Sequence, residues 1–433
     1  MDPVSVGIIG IFLLVFLFFI NMPVAFSMAF VGFLGFAYLG SFHAGVKLLA
    51  RDFFEQFSSF PLSAIPMFIL MGSFAFASGI GKRLYDAAYT ILGNLRGGLT
   101  MATVVACGFF ASICGSTAAT AATIGKIALP EMKRYHYSDT LATGCVASAG
   151  TLGILIPPST IFLVYGILTE QSITKLFVAG IIPGIILTFL FVIVVGLLCW
   201  RDPTCAPAGA STNLKQKGKA LIGMIEALIL FGLVIGGLFF GWFTPTQAGG
   251  IGAAGALVIG LVRREVNFRV LIECTKDGLR TSCMVLTIIA GATVFGHFMA
   301  VSTIPFVLAD WVETLPLPAM AIMGVIVIIY FVGGCFMDAM ALVVLTVPVI
   351  YPVVVRVGFD PIWFGVIIVL VSEMGVITPP VGVNVYVIKG IAPTIPLETI
   401  FKGIFPFLIA ILIDTAILMA FPKLALILPS LAK

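Results

Sequence analysis

The sequence predicts an all-α polytopic membrane protein with two inverted-topology repeats, each containing a re-entrant helical hairpin and a broken helix. Of its 433 residues, 61% are hydrophobic and only 10% are charged, whereas a soluble domain carries about 25% charged residues. Long apolar segments follow one another along the whole chain, and the same spacing of prolines and helix breaks occurs twice. Lipid is therefore the expected environment of most side chains.

Twelve apolar segments are apparent, near residues 4–20, 24–45, 58–80, 97–133, 138–168, 173–199, 220–243, 246–262, 280–302, 318–355, 360–391 and 398–420. A spanning helix needs about 20 residues. Segments 97–133 and 318–355 are too long for one crossing, and each has a small or polar interruption, at 115–117 and at 333–338. We interpret both as hairpins that enter and leave the membrane on the same side.

Paired prolines interrupt two other segments, Pro157-Pro158 within 138–168 and Pro379-Pro380 within 360–391. Proline removes a backbone donor and clashes with the preceding helical turn, so each pair should open its helix. Irregular backbone at membrane depth survives only when it is buried in protein or lines a wet cavity.

The second half repeats the first, because Pro379 minus Pro157 gives a spacing of 222 residues. The same spacing relates Pro380 to Pro158, Pro352 to Pro130, Pro245 to Pro23, Asp338 to Ser116 and Gly375 to Gly153. An odd number of crossings in each half would make the halves antiparallel in the membrane. Such inverted repeats are a recurring plan of secondary transporters.

We therefore divide the chain into a first repeat at 1–200, a cytoplasmic linker at 201–219 and a second repeat at 220–433. The first repeat holds scaffold helices at 1–96, the hairpin 97–133, the broken helix 138–168 and a helix at 173–199. The second holds scaffold helices at 220–302, an arm at 304–316, the hairpin 318–355, the broken helix 360–391 and a last helix at 398–420. The amphipathic stretches Lys82–Arg96 and Pro305–Leu315 either brace a mobile unit or are plain connectors.

Most lysines and arginines fall on the side of the linker 201–219 and of the open ends of the first hairpin. The positive-inside rule places that side in the cytoplasm. The N-terminus and the open ends of the second hairpin are then periplasmic. The first apolar segment lacks a basic region and a small-residue cleavage site, so we expect it to be retained as a spanning helix.

Several functional classes are disfavoured. The net charge of +4 has no basic patch with interleaved aromatics, which argues against nucleic-acid binding. None of the 8 cysteines forms a C-x-x-C pair, and His43, His136 and His297 lie far apart in sequence. There is no local signature for haem, zinc or a redox cluster.

The hairpin tips and helix breaks are the predicted functional sites. Helix N-termini attract anions, whereas C-terminal ends and unwound carbonyls suit cations. One site would combine Gly115–Thr117 with Pro157–Thr160, and the other would combine Gly334–Asp338 with Thr378–Asn384. Close packing of small residues between helices is the alternative explanation for these Gly and Ser positions.

Few ionisable side chains lie in the apolar segments. Asp338 is the strongest candidate, because a carboxylate near mid-membrane is costly and indicates function. Glu373 is a weaker candidate of the same type, and a structural ion pair is the alternative for both. Lys126 either attracts an anionic substrate or extends to the headgroups. We expect Asp414 to be solvated or paired, and His297 to be a satisfied polar residue near a helix end.

Four sequence runs, at residues 114–132, 153–159, 243–249 and 377–384, together resemble the large membrane subunit of TRAP (tripartite ATP-independent periplasmic) transporters. Cys114–Gly125 followed by Leu129–Met132 resembles its first hairpin, and Gly153–Ser159 resembles its first broken helix. Phe243–Gly249 resembles the start of its second half, and Ile377–Asn384 resembles its second broken helix. Cys114 stands where several members have serine.

This resemblance implies an elevator mechanism, in which hairpins and broken helices move against a scaffold, driven by sodium as coupling ion. It implies two protein partners, a small four-helix membrane subunit and a periplasmic substrate-binding protein. The implied substrate is a small organic anion: a carboxylate such as a C4-dicarboxylate or sialic acid, or a sulfonate. The implied location is the bacterial inner membrane, with membrane lipid around the chain. Ser116, Ser159 and Asp338 match family positions of sodium or substrate function. Together with the sites above, the expected sodium ligands are Gly115, Ser116, Pro157, Gly334, Asp338, Glu373, Thr378, Pro379 and Gly382. The expected substrate residues are Ser116, Thr117, Lys126, Ser159, Thr160 and Asn384.

Three other functions stay open at this stage. A stand-alone divalent-anion/sodium symporter of the same architecture would need no binding protein. A channel could also use facing half-helices. A membrane-embedded enzyme would need ligands or a base gathered in space, for example His136 or His297 beside Asp338.

Overall fold

The computed structural model describes residues 1–207 and 213–431, and it describes residues 214 and 215 by their backbone alone. The first half contains α1 (Pro3–Phe19), α2 (Val24–Leu39), α3 (Phe42–Ser58), α4 (Ala64–Ala77), α5 (Ile80–Leu92), α6 (Gly98–Cys114), α7 (Thr117–Arg134), α8 (Asp139–Ala149), α9 (Leu152–Leu155), α10 (Thr160–Leu168), α11 (Ile173–Ala179) and α12 (Ile181–Arg201). The second half contains α13 (Leu214–Phe239), α14 (Pro245–Val262), α15 (Phe268–Val301), α16 (Ile304–Thr314), α17 (Ala319–Phe336), α18 (Ala339–Val357), α19 (Pro361–Ile377), α20 (Val383–Ile391), α21 (Leu397–Ala420) and α22 (Lys423–Leu431).

Within the described ranges every regular secondary-structure element is a helix. Seven of these helical segments are long and apolar enough to cross a membrane. The number rises to nine if each bent helix pair counts as one span, namely α3 with α4 and α8–α9 with α10. Large apolar side chains such as Phe19, Trp200 and Val262 are more than three-quarters exposed. Such side chains are stable on the outside of a protein only where lipid surrounds it.

The helices of the two halves correspond at the 222-residue spacing. The spacing carries α6 and α7 onto α17 and α18, and α4 onto the C-terminal part of α15. Contacts correspond as well: α2 packs along α15, and α14 packs along α4. Because the spacing carries α2 onto α14, these are the same contact formed twice.

The four interrupted segments interlock. The returning limb α7 packs against α20, the far half of the second broken segment, and the returning limb α18 packs against α10, the far half of the first. The far half of each broken segment is therefore held by the hairpin of the other half, while the near half packs on the hairpin of its own half. These elements share one apolar core, whose largest fully buried side chains include Trp363, Tyr165 and Phe364.

Three features were not expected from the sequence. A separate amphipathic helix, α3, follows α2, and Lys47, Arg51 and Glu55 lie on its exposed side. The helix α13 begins at Leu214, inside the segment 201–219 that we expected to be a linker. A short helix, α22, follows the last apolar helix.

Candidate functional site

The first hairpin tip touches the first helix break. The chain turns between α6 and α7 at Gly115, whose φ of +64° is a left-handed conformation that glycine adopts with the least strain. The Thr160 hydroxyl donates to the Gly115 carbonyl over 3.1 Å. A Cβ atom at Gly115 would lie 2.6 Å from the Pro158 carbonyl oxygen. Only glycine lets the tip approach the break this closely.

The second tip contacts the second break in a related way. The Val381 amide donates to the Cys335 carbonyl over 3.2 Å. Gly334 and Gly375 meet backbone to backbone, since a Cβ atom at Gly375 would lie 2.1 Å from the Gly334 carbonyl carbon. In both halves, a carbonyl at the hairpin tip thus accepts a hydrogen bond from a residue that follows the proline pair.

Three predicted site residues cap the half-helices that begin at the tips and breaks. Ser116 accepts from the Ala119 amide over 3.4 Å at the start of α7, and Ser159 accepts from the Phe162 amide over 3.3 Å at the start of α10. Asp338 accepts from the Met340 amide over 3.0 Å at the start of α18. The fourth half-helix, α20, begins after Gly382 at φ +59°. Ser and Asp are favoured N-caps, a signal that the sequence analysis did not use.

The two halves meet at Asn384 in α20. Its side-chain amide donates to the Ala147 carbonyl in α8 over 3.1 Å. Gly150 lies beside both, because a Cβ atom there would be 3.1 Å from the Asn384 amide nitrogen and 3.2 Å from the Thr117 carbonyl oxygen. Thr117 and Asn384, expected at opposite sites, therefore converge on one place.

Four buried side-chain oxygens lack a hydrogen-bond partner among the described residues: both carboxylate oxygens of Glu373, the side-chain oxygen of Asn384 and the hydroxyl of Ser148. Ser148 directly follows Ala147, the acceptor of the Asn384 amide, and Glu373 lies near the end of α19, before the second break. A buried unpaired carboxylate is costly unless a cation or a proton neutralises it. Oxygen ligands of this kind suit an alkali or other hard cation.

The remaining expected ligands lie on the same breaks. Thr378 ends α19, and its hydroxyl donates to the Met374 carbonyl over 2.5 Å. Pro157 is buried in the first break, whereas Pro379 is exposed in the second. In the part of the chain that the structure describes, no three His, Cys, Asp or Glu side chains are grouped as metal ligands.

The two helix breaks differ in accessibility. Ser159 and the first proline pair are buried, whereas the second proline pair and Asp338, at the second tip, are exposed. Of the two candidate carboxylates, Asp338 is thus exposed and Glu373 is buried. The weaker sequence candidate has the more unusual environment.

Lys126 is not brought to either tip. It lies nine positions after Thr117 on α7, about 13 Å along the helix. Its side chain is exposed, and its ammonium nitrogen lies 5.8 Å from the centre of the Phe76 ring. It lines a cavity of about 520 Å³ between α5 and α7.

Two further polar residues were assessed from the sequence. The expectation that Asp414 is solvated or paired is wrong, because its carboxyl is fully buried and has no hydrogen-bond partner among the residues that the structure describes. His297 is satisfied as expected: its Nδ1 lies 2.7 Å from the carboxylate of Asp52, which is itself 2% exposed. His297 therefore contacts Asp52 on α3. The enzyme hypothesis offered His297 beside Asp338 as one possible arrangement, and His297 is not placed there.

Comparisons with known proteins agree with this architecture. A family model described as the DctM component of the tripartite ATP-independent periplasmic transporter matches residues 11–424. The C4-dicarboxylate TRAP transporter large permease protein DctM of Pseudomonas aeruginosa is 36% identical over 391 residues, covering 89% of this chain and 90% of that protein. The sialic acid TRAP transporter large permease protein SiaM of Vibrio cholerae is 32% identical over 418 residues, covering 96% of each. The isethionate TRAP transporter permease protein DctMQ of Oleidesulfovibrio alaskensis is 35% identical over 424 residues, covering 97% of this chain and 65% of that protein.

Two solved transporter structures share the fold. The Alcanivorax borkumensis YdaH transporter has a TM-score of 0.62 at 16% identity, covering 87% of this chain and 88% of that one. Neisseria gonorrhoeae MtrF has a TM-score of 0.61 at 14% identity, covering 96% and 95%. At these identities the likeness concerns the fold alone.

Proposed function

The chain belongs to the DctM component family of tripartite ATP-independent periplasmic transporters, and from this premise we propose that it imports a small organic anion by sodium-coupled, elevator-type transport. It is a multi-pass membrane protein and a transporter permease rather than an enzyme. The observation that best supports this proposal is that each hairpin tip contacts the helix break of its own half, while Asn384 joins the two halves.

An anionic substrate fits the helix ends at this place. The N-termini of α7, α10, α18 and α20 begin at the tips and breaks, and free backbone amides there favour negative charge. The related proteins are named for a C4-dicarboxylate, sialic acid and isethionate, each of which carries a carboxylate or a sulfonate. We assign the substrate to this class, with Ser116, Thr117, Ser159, Thr160 and Asn384 as the contacting residues and with Lys126 outside this set.

Sodium is proposed as the coupling ion. Backbone carbonyls end α6, α9, α17 and α19 at the tips and breaks, and carbonyl oxygens suit cations. Glu373 adds a buried carboxyl group that has no hydrogen-bonding or cationic partner among the described residues. A cation bound near Glu373 would neutralise a charge that otherwise destabilises the folded protein.

The inverted repeat and the elevator movement are supported by the packing. The contact of α2 with α15 is repeated by the contact of α14 with α4 at the 222-residue spacing. We define the transport unit as α6–α10 and α17–α20, which interlock across the halves, and the scaffold as α1–α4 and α13–α15. The buried first break and the exposed second break fit one end state of such a movement.

The partners follow from the family. We propose a small membrane subunit against the scaffold and a periplasmic binding protein that delivers the substrate, since the family is described as tripartite. We propose the bacterial inner membrane as the location. The distribution of Lys and Arg favours an orientation with a periplasmic N-terminus.

Sodium binding can be tested without partners. A ligand at a hundredfold excess over its dissociation constant stabilises a folded protein by about 2.7 kcal/mol. Purified protein should therefore unfold at a higher temperature in sodium chloride than in equimolar choline chloride. The variant Glu373→Gln should lose most of this shift, whereas Glu55→Gln, on the exposed face of α3, should keep it. An equal response of wild type to both salts would refute the sodium proposal.

A further inference from the structure

The cavity of about 520 Å³ between α5 and α7 lies apart from the site proposed for sodium and substrate. Its polar lining combines two lysines, two carboxylic acids and two tyrosines. These are Lys82, Tyr85, Asp86 and Tyr89 of α5, and Lys126 and Glu131 of α7. A concave site with a few converging polar groups is suited to binding a small ligand or part of a larger one.

The two helices that form this cavity run side by side in the same direction. At one end Gly81 of α5 packs closely against Thr123 of α7. At the other end the rings of Tyr89 and Tyr135 lie 6.4 Å apart. Positions along the cavity can therefore be read from positions along either helix.

The charges are separated along this direction. Lys82 and Lys126 lie nearer the first contact, and Asp86 and Glu131 lie nearer the second. On each helix the acid follows the lysine by four or five residues, which corresponds to about 6–8 Å. Because α7 begins at the hairpin tip and ends beside the linker, where the Ser138 amide donates to the linker backbone over 2.9 Å, the positive end is deeper in the membrane. The negative end lies closer to water.

These polar groups have few partners within the protein. Lys82, Asp86 and Lys126 form no ion pair among the described residues, and Glu131 has only a long contact of 3.9 Å with an exposed arginine on α7. The pKa of the Asp86 carboxyl is raised, first by partial burial and also by Glu131, although Lys82 lowers it. The two carboxylates therefore repel each other, and a cation between them would relieve this repulsion.

Tyr85 gives an independent indication of a missing partner. Its side chain is only 2% exposed, and its hydroxyl has no hydrogen-bond partner in the described part of the chain. A buried hydroxyl without a partner is costly. A bound ligand that carries hydrogen-bonding oxygens next to this residue would lower that cost.

A zwitterion with its anionic group at the deeper end complements this lining. An aminophospholipid has this arrangement, because its phosphate is attached to the glycerol backbone and its ammonium extends towards water. Lys82 and Lys126 would donate to phosphate oxygens, and Asp86 and Glu131 would accept from the primary ammonium. The ring of Tyr89 also suits the ammonium. A simple anion would instead meet the two carboxylates, and a simple cation would meet the two lysines.

The deeper end of the cavity also adjoins apolar surface of the kind that faces lipid. The ammonium nitrogen of Lys126 lies 5.8 Å from the centre of the Phe76 ring, and Phe76 is 45% exposed. An exposed aromatic side chain beside a lysine is typical of the boundary between headgroups and acyl chains. Phe76 can therefore contact the acyl chains of a lipid whose phosphate lies at Lys126.

We propose that this cavity binds the headgroup of one aminophospholipid, with the phosphate on Lys82 and Lys126 and the ammonium between Asp86 and Glu131. The lipid belongs to the leaflet on the side of the linker, which the distribution of Lys and Arg assigns to the cytoplasm. Binding at this site requires neither sodium nor the transported anion, so its test is independent of the proposed transport function.

Native mass spectrometry of the purified chain in detergent tests this proposal. The chain is titrated with dioctanoyl phosphatidylethanolamine, phosphatidylcholine or phosphatidylglycerol, and with free O-phosphoethanolamine. The first ethanolamine lipid should bind about tenfold more tightly than the choline lipid, because a trimethylated ammonium cannot donate to the carboxylates. The glycerol lipid should also bind more weakly, because it has no cation. Free O-phosphoethanolamine that binds as tightly as the lipid would overturn the lipid assignment.

Two double variants separate the ends of the site. Lys82→Gln with Lys126→Gln should weaken the binding of all three lipids. Asp86→Asn with Glu131→Gln should retain lipid binding but lose the preference for ethanolamine over choline.

Lys276→Gln with Asp277→Asn, on the exposed part of α15, is the matched control and should bind like wild type. Circular dichroism confirms that each variant is folded. A preference for ethanolamine that survives Asp86→Asn with Glu131→Gln would overturn the proposal, as would an equal loss of binding in the control.

Discussion

A methyl group at Gly375 should separate the second hairpin tip from the second helix break. An alanine Cβ there would lie 2.1 Å from the carbonyl carbon of Gly334 and 2.3 Å from its Cα, whereas ordinary contacts begin at 3.4 Å. The obstacle is backbone, so no side chain can rotate away, and α17 and α19 must move apart by roughly the 1.3 Å difference. Overpacking of this kind costs about 1–3 kcal/mol, and replacing a helical glycine by alanine returns at most about 1 kcal/mol.

Subtracting this full gain leaves an expected net loss of stability of about 0–2 kcal/mol, and most of the uptake should be lost as well. Thermal unfolding in detergent and uptake in proteoliposomes measure the two effects. Gly324→Ala is the matched control, because Gly324 lies on α17, the helix of the contact partner Gly334, with nothing within 4 Å of the added methyl group. If Gly375→Ala is as stable and as active as Gly324→Ala, the close contact of tip and break does not exist in the working protein.

Three other predictions concern single side chains. In a variant without native cysteines, Asp338→Cys should react quickly with a water-soluble maleimide, whereas Ser159→Cys should stay protected. Equal reaction rates would contradict the difference in accessibility between these two positions. Asn384→Ala should reduce uptake strongly and stability by about 1–3 kcal/mol, because it leaves the buried Ala147 carbonyl without its donor; unchanged uptake would remove Asn384 from the site. Thr244→Ala should lower stability by about 1 kcal/mol through loss of the N-cap of α14 without changing the sodium-dependent thermal shift, and a lost shift would contradict its purely local role.

The helix breaks could be read from the sequence because their causes are local. Proline pairs cannot continue a helix, and α9 and α19 end just before Pro157 and Pro379. Glycine and a good N-cap at Gly115-Ser116 end one helix and begin the next, and α6 and α7 meet there. The spacing between the halves was visible for the same reason, since prolines mark it.

Side-chain environments could not be read in this way, because they depend on contacts between distant segments. Asp338 and Glu373 both lie in apolar surroundings in the sequence, yet only Glu373 is buried without a partner. Asp414 lies near the end of an apolar helix, but α8, α12 and α19 cover that helix. Asn384 and Thr117 lie far apart in the chain and meet only because α20 packs against α7 and α8.

Helix α3 shows the limit of hydropathy as a guide. Its charged residues fall between the apolar segments 24–45 and 58–80, so hydropathy gave no sign of it, yet Ser41 caps it by accepting from the Ala44 amide over 3.2 Å. Asp52 turns inward to pair with His297 on α15. Amphipathic helices at a membrane surface carry too much charge to be found as spans.

Sodium-driven uptake in proteoliposomes tests the central claim most directly. Radiolabelled C4-dicarboxylate, sialic acid and isethionate are each offered with their loaded binding protein and a small membrane subunit, under an inward sodium gradient or a proton gradient alone. We expect one of these anions to accumulate only with sodium, the binding protein and the small subunit all present. Accumulation by this chain alone would instead establish a stand-alone symporter, and accumulation driven by protons without sodium would contradict the proposed coupling.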